Sequence, residues 1–220
     1  QVRSKNPAIR RMLEEALQKL GCTIGGSLVL EISPDGSAVV LQQGDIILRR
    51  QRAVAAYCMM MFEKQQDVAV ESDFPKSLDF FARQHGRRVY RYLHCPSGDE
   101  DQAGRRVAAS QQCARDGLML SVLLLGYMRR KKLSLAALNA QLPAFESCEG
   151  SVAAAQPPGK LLEKLHGEIQ DEGILLREDK GLVLLRPSKL GDKIRIFAEA
   201  SNWETAGELC ADVQTRLHSL

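Results

Sequence analysis

The stretch from Gly181 to Ala200 limits the possible folds more than any other part of the chain. Two runs of alternating apolar residues flank a short polar loop, and alternation with a period of two is what a half-buried strand requires. The loop and its edges carry Arg186, Ser188, Lys189, Lys193 and Arg195. By residue type this is a hairpin with a solvated basic tip. Cations, a hydroxyl and backbone N–H groups gathered at one turn are also the groups that hold a phosphate. On the residues alone both readings stay open.

The rest of the chain alternates helical and strand-like segments. Asn6 reads as the cap of a helix over residues 6–20, with Pro7 in its first turn and Gly21 as its stop. Residues 27–32 and 38–41 read as strands around the turn Ser33-Pro34-Asp35-Gly36. A long helix is expected from Asp45 to Lys64, with Ile46, Ile47, Val54, Tyr57, Cys58 and Met61 on its face. Residues 68–70, 74–85 and 89–93 read strand, helix, strand, the order of a βαβ unit with a parallel sheet. Residues 95–102 are polar and read as a loop, and residues 105–113 as a helix or a short strand. Asp116 reads as the cap of an apolar helix to Met128, and Ser134 as the cap of a short one that Pro143 ends.

Residues 145–159 contain Gly150, Pro157, Pro158 and Gly159 and read as an inter-domain connection, with residues 151–155 as an alternative first strand of the next domain. A helix over 160–170, strands over 174–177, 182–185 and 193–198, and a helix over 203–217 complete a small α+β module.

Composition removes several functional classes. Hydrophobic residues at 45% and charged residues at 26% suit a packed core and exclude a disordered chain. A net charge of +3 is too small to point to nucleic acid. The longest apolar run, residues 118–128, is too short to span a bilayer. The six cysteines form no C-x-x-C pair and the four histidines are dispersed, so free thiols in a reducing compartment are expected, with no zinc site. Met59-Met60-Met61 reads as core or helix-packing surface rather than a binding patch. No signal-peptide pattern is read at the start, and a cytoplasmic protein is expected. The first residue is Gln1 rather than Met, which leaves a longer upstream frame open.

The loop resembles the last domain of the α-D-phosphohexomutases, the family of phosphomannomutases, phosphoglucomutases and phosphoglucosamine mutases. Their loop reads R-P-S-G-T-E-P-K-I-R-I and grips the substrate phosphate. Arg186, Pro187, Ser188, Lys193, Ile194, Arg195 and Ile196 match it, whereas Lys189, Leu190, Gly191 and Asp192 replace Gly, Thr, Glu and Pro. Three further features occur in family order: Gly44-Asp45, Asp116-Gly117-Leu118, and residues 132–138, which are similar to the family's G-K-S-L-S-E-L. The resemblance implies an α/β fold followed by a small C-terminal α+β domain with an antiparallel sheet. It divides the chain into a shortened second domain (1–43), a third domain (44–148) and the phosphate-loop domain (149–220).

The chemical parts of the family depart from this pattern. The metal loop D-x-D-x-D-R, whose three carboxylates hold magnesium, aligns with Ser33-Pro34-Asp35-Gly36-Ser37-Ala38. The sugar loop G-E-E-S-G has no counterpart, and neither has the T-A-S-H-N-P segment with its phosphoserine. The expectation is therefore a phosphohexomutase-like protein without catalytic residues or a metal, serving in binding, regulation or assembly. Phosphate or a phosphorylated sugar would be held by Arg186, Ser188, Lys189 and Lys193. Neither nucleic acid nor membrane is an expected partner, and an oligomer or a partner protein stays open. The alternative is the C-terminal part of an active, magnesium-dependent hexose-phosphate mutase, an isomerase of carbohydrate metabolism, whose catalytic first domain lies upstream.

Overall fold

The structure of the chain is a computed structural model that describes residues 1–154 and 156–220. In chain order the elements are β1 (Val2–Arg3), α1 (Pro7–Lys19), β2 (Val29–Ile32), β3 (Val39–Gln43), β4 (Ile46–Leu48), α2 (Arg50–Glu63), β5 (Val68–Glu71), α3 (Ser77–Gln84), β6 (Val89–Tyr92) and α4 (Gly98–Ser110). They continue with α5 (Gly117–Lys131), α6 (Leu135–Ala140), β7 (Glu146–Ala153), α7 (Pro158–Glu163), β8 (Glu168–Gln170), β9 (Gly173–Glu178), β10 (Gly181–Pro187), β11 (Lys193–Ala200) and α8 (Trp203–His218). They fall into two compact units, residues 1–68, 81–88 and 107–143, and residues 69–80, 89–106 and 144–220.

In the first unit a four-stranded sheet has the order β1-β2-β3-β4. β1 and β2 run parallel with α1 between them, and the other pairs are antiparallel. α1 begins where expected, because the Asn6 side chain accepts from Ala8 N at 3.1 Å and supplies one of the free helix N–H groups with a partner. α5 is capped by Asp116, which accepts from Leu118 N and Met119 N at 3.0 and 2.9 Å. Its first residue rests on the β2–β3 turn: Gly117 N donates to Gly36 O at 2.8 Å.

The helix expected from Asp45 is corrected. Residues 46–48 are the strand β4, paired Gln43 to Ile46 through Leu41 to Leu48, and the helix starts only at Arg50. Gly44 stands at φ +59° in the turn, a conformation that suits a two-residue hairpin. The β-branched Ile46 and Ile47 then find ladder partners on β3. In α2 every residue from Arg52 to Phe62 is buried, so Met59, Met60 and Met61 are core side chains.

The second unit carries a five-stranded antiparallel sheet in the order β7-β11-β10-β9-β8, with α8 packed on β7, β10 and β11. Its core includes Val183, Leu185, Ile194, Ile196 and Val213, all at or below 1% exposure. β10 and β11 alternate inward and outward as expected, with Leu185 facing Ile196 across the ladder.

Three expectations here are corrected. Residues 146–153, read as part of a connection, pair with β11 along their whole length from Glu146–Ala200 to Ala153–Lys193, so the alternative strand holds over 151–153 and begins five residues earlier. Ala155, the end of the alternative strand, lies outside the described residues. The helix expected over 160–170 ends at Glu163, because His166 adopts φ +51° and β8 follows. Residues 95–102, read as a loop, contain the start of α4, with Asp99, Glu100 and Asp101 in its first turn, where carboxylates favour the positive end of the helix dipole.

β5 and β6 form a separate two-stranded sheet. Val68 N donates to Arg88 O and Ser72 N to Tyr92 O, so both strands advance together and run parallel with α3 between them, as the βαβ reading expects. Among the described residues no helix is long and apolar enough to cross a membrane.

Candidate functional site

Arg186 lies near the C-terminal end of β10, and its side chain turns inward rather than into the turn. Its Nε and Nη2 donate to Asp73 Oδ2 at 3.1 and 2.9 Å, and both side chains are below one-tenth exposed. The guanidinium carbon also stands 5.2 Å from the centre of the Phe197 ring, within cation–π range. His94 Nε2 lies 2.9 Å from the same Asp73 oxygen. Burial pushes the Asp73 carboxyl up, but His94 and Arg186 outweigh it and hold it below its ordinary value of 3.8. The cation in the β10–β11 segment that is best placed for an anion thus already has one.

The remaining predicted residues stay at the turn. Ser188 Oγ donates to Asp192 Oδ1 at 2.6 Å and accepts from Lys193 N at 3.2 Å. Ser188 N donates to Lys193 O at 2.8 Å. That hydroxyl is the chief reason the Asp192 carboxyl sits below its ordinary value, and Lys193 adds to the effect. Lys189 and Lys193 are exposed, beside Leu190 at 88% exposure. The structure therefore groups Ser188, Lys189 and Lys193 at the tip and places Arg186 in a separate ion pair.

Arg186 also borders a cleft with a cavity volume of about 50 Å³, lined among others by Ser72, Lys76, Arg91 and Glu172. Ser72 and Lys76 follow β5, and Leu93 on the same wall follows β6. The cleft thus sits beyond the carboxyl ends of the parallel pair, where open α/β sheets commonly bind ligands. Arg91 is held by Asp79 Oδ2 at 2.5 Å, Phe74 O at 2.6 Å and Pro75 O at 3.0 Å. Glu172 accepts from Ser72 Oγ and Cys95 N at 2.7 and 2.9 Å. Burial and then the nearby Arg91 lower the Lys76 ammonium below its ordinary pKa, against the pull of Asp79, Glu199 and Asp171.

Sequence reasoning missed Asp73, Lys76, Arg91, His94 and Glu172. The signal available was position: the polar segment from Ser72 to Ser77 lies between an apolar strand and a helix, at the end of a parallel strand.

The hydroxyls of Ser33 and Ser37 turn onto Asp35 in the first unit. Ser33 Oγ donates to its Oδ1 at 2.5 Å, Ser37 Oγ to its Oδ1 and Oδ2 at 2.9 Å each, and Ser37 N to Oδ1 at 3.1 Å. The Ser33 hydroxyl bond, with the Ser37 bonds after it, lowers the Asp35 carboxyl to about 2. A single carboxylate whose oxygens already accept three donors is a poor set for magnesium, which takes carboxylate oxygens in octahedral array.

No protein-family model matches the chain. A curated relative, a probable phosphoglucosamine mutase of Methanosarcina acetivorans, is 36% identical over 93 residues, 39% of this chain and 21% of the relative. A phosphoglucomutase/phosphomannomutase family protein of Burkholderia thailandensis superposes with a TM-score of 0.62 at 16% identity, covering 95% of this chain and 50% of that one. An N-acetylglucosamine-phosphate mutase of the α-D-phosphohexomutase superfamily, solved in its substrate complex, superposes at 0.53 with 12% identity, covering 86% and 48%. The chain thus spans about half the length of these solved structures.

Proposed function

We propose that this chain, a relative of the α-D-phosphohexomutases with their fold, works as a non-catalytic binding, regulatory or assembly protein rather than as a hexose-phosphate mutase. One observation carries the reading: the guanidinium of Arg186 is buried against Asp73. A buried cation bound to a carboxylate gains little from a second anion and would first have to break that pair. Ser188 is engaged by Asp192 in the same way. Residual affinity for phosphate or a phosphorylated sugar falls to the exposed Lys189 and Lys193, with Arg186 and Ser188 joining only on release of their carboxylates. The hydroxyl-saturated Asp35 supports a function without magnesium. Six cysteines free of disulfides support a cytoplasmic setting.

Calorimetric titration with inorganic phosphate and hexose phosphates tests the binding role, and a mutase assay with magnesium and a hexose bisphosphate tests the lack of catalysis. The expected outcome is weak binding reduced by Lys189→Ala, and no turnover. Robust turnover by the longest natural reading frame would overturn the proposal. It would favour instead the C-terminal part of an active mutase, the reading supported by the half-length coverage of the solved structures.

A further inference from the structure

Cys148 and Cys210 come together where α8 crosses β7, within the second unit. β7 is an edge strand, bonded to β11 on one side, and Cys148, Gly150 and Val152 share one face of it. That face looks onto α8: Val152 is buried in the core that holds Cys210, and Cys148 packs against the same core. A Cβ at Gly150 would lie 2.7 Å from Cys210 Sγ and 2.9 Å from Gln214 Nε2. The missing side chain is thus what lets the Cys210 sulfur rest directly on the strand. Cys148 is the next residue along that face, and the two thiols interact by hydrogen bonding and by charge.

The two sulfurs differ in reach. Cys210 is 4% exposed, whereas Cys148 is half-buried. Burial, and then the adjoining Cys148, hold the Cys210 thiol well above its ordinary pKa, so it stays protonated and inert by itself. A reagent in solution meets Cys148 first, with Cys210 behind it.

We infer that Cys148 and Cys210 form a redox modification site, at which a hydroperoxide oxidises Cys148 and Cys210 resolves the product to a disulfide that staples β7 to α8. The Cys148 thiolate attacks one peroxide oxygen: an S–O bond forms, the O–O bond breaks, and the leaving hydroxide takes up the thiol's proton as water. The Cys210 sulfur then attacks the sulfenic sulfur of Cys148: the S–S bond forms, the S–O bond breaks, and the departing hydroxide takes the Cys210 proton. The two sulfurs lose two electrons together, and one hydrogen peroxide becomes two waters. In a reducing compartment the pair rests as the dithiol, and excess thiol reverses the bond by exchange. The bond closes a loop that contains α7 and β8 through β11, so it fastens the outer edge of the sheet to the helix that covers it.

The test treats the full, folded chain with a few equivalents of hydrogen peroxide, blocks the remaining thiols and maps tryptic peptides by mass without reductant. The expected product is a Cys148–Cys210 crosslink that dithiothreitol reverses, with a melting temperature raised by at least about 4 °C. In Cys210→Ser the sulfenic acid at Cys148 should persist and be trapped by dimedone, and in Cys148→Ser the Cys210 thiol should survive peroxide. Cys95→Ser should crosslink like the parent. Over-oxidation of Cys148 with Cys210 still free, a crosslink that forms only after denaturation, or an unreacted Cys148 beside an oxidised Cys95 overturns the proposal. A crosslinked form that melts no higher than the dithiol overturns it equally.

Discussion

Asp73 and Arg186, 113 positions apart in the chain, meet as a buried ion pair at 2.9 Å. Their side chains are 7% and 6% exposed, so neither charge has water to fall back on. His94 Nε2 lies 2.9 Å from the same carboxylate oxygen that Arg186 holds. The pair converts a loop with the composition of an anion site into a brace between the end of β5 and the end of β10.

Removing one partner should expose that arrangement. Asp73→Asn leaves a buried, uncompensated guanidinium, and urea unfolding is expected to show a loss of about 3–5 kcal/mol. The pH dependence follows from the sign of the shift. The folded-state carboxyl lies below its ordinary value of 3.8, so its contribution is complete above that value and disappears as pH falls through the folded value. Acid titration of stability should therefore be shallower in Asp73→Asn than in the parent below about pH 4. A parallel pair of curves would show that the pair contributes nothing.

Glu199 takes over the start of α3. It accepts from Lys76 N at 2.6 Å, from Ser77 N at 2.9 Å and from the Ser77 hydroxyl. A carboxylate on free helix N–H groups is favoured by both hydrogen bonding and the dipole. Glu199→Ala should cost about 1–3 kcal/mol, and hydrogen exchange should show the loss of protection concentrated at the first turn of α3.

Two glycines of α5 should respond with opposite signs. A Cβ on Gly117 would lie 2.4 Å from Ala38 O, a backbone atom that cannot rotate away, so Gly117→Ala should lower the melting temperature strongly. Gly126 has nothing within 4 Å of such a Cβ, and Gly126→Ala should stabilise by about 0.5–1 kcal/mol through helix propensity. Thermal unfolding of the two variants side by side checks the contrast.

Asp35 should titrate near pH 2 by carboxyl-detected NMR, held there first by the Ser33 hydroxyl. Ser33→Ala removes that bond and should move the midpoint up towards the ordinary value of 3.8. An unmoved midpoint would place the cause elsewhere.

Features encoded within a few residues were readable in advance. The caps at Asn6, Asp116 and Ser134 are polar side chains one position before a helix, and each accepts a backbone N–H of the first turn. The alternation of β10 and β11 was equally plain. Misreadings occurred where pairing with another segment, near or distant, overrode the local preference. Asp45 is a good helix cap in isolation, and Ile46-Ile47 fits a helical face, yet β3 offers a ladder and the pair becomes a hairpin. Residues 146–153 have the mixed polar composition of a connection, and only the free edge of β11 makes them a strand. The acidic start of α4 resembles a solvated loop until Asp101 is seen accepting from Ser97 N and Leu93 N at 3.0 and 2.6 Å.

The same division runs through the candidate site. From the residues alone came the hairpin, the basic turn and the phosphohexomutase resemblance, because turn chemistry and strand period act over neighbouring positions. Whether Arg186 faces solvent or a carboxylate was decided only by the tertiary structure, which brings the end of β5 to the end of β10 and removes water from both charges. Coulomb attraction depends on distance and on the surrounding dielectric, and neither exists for Arg186 and Asp73 until the chain has folded.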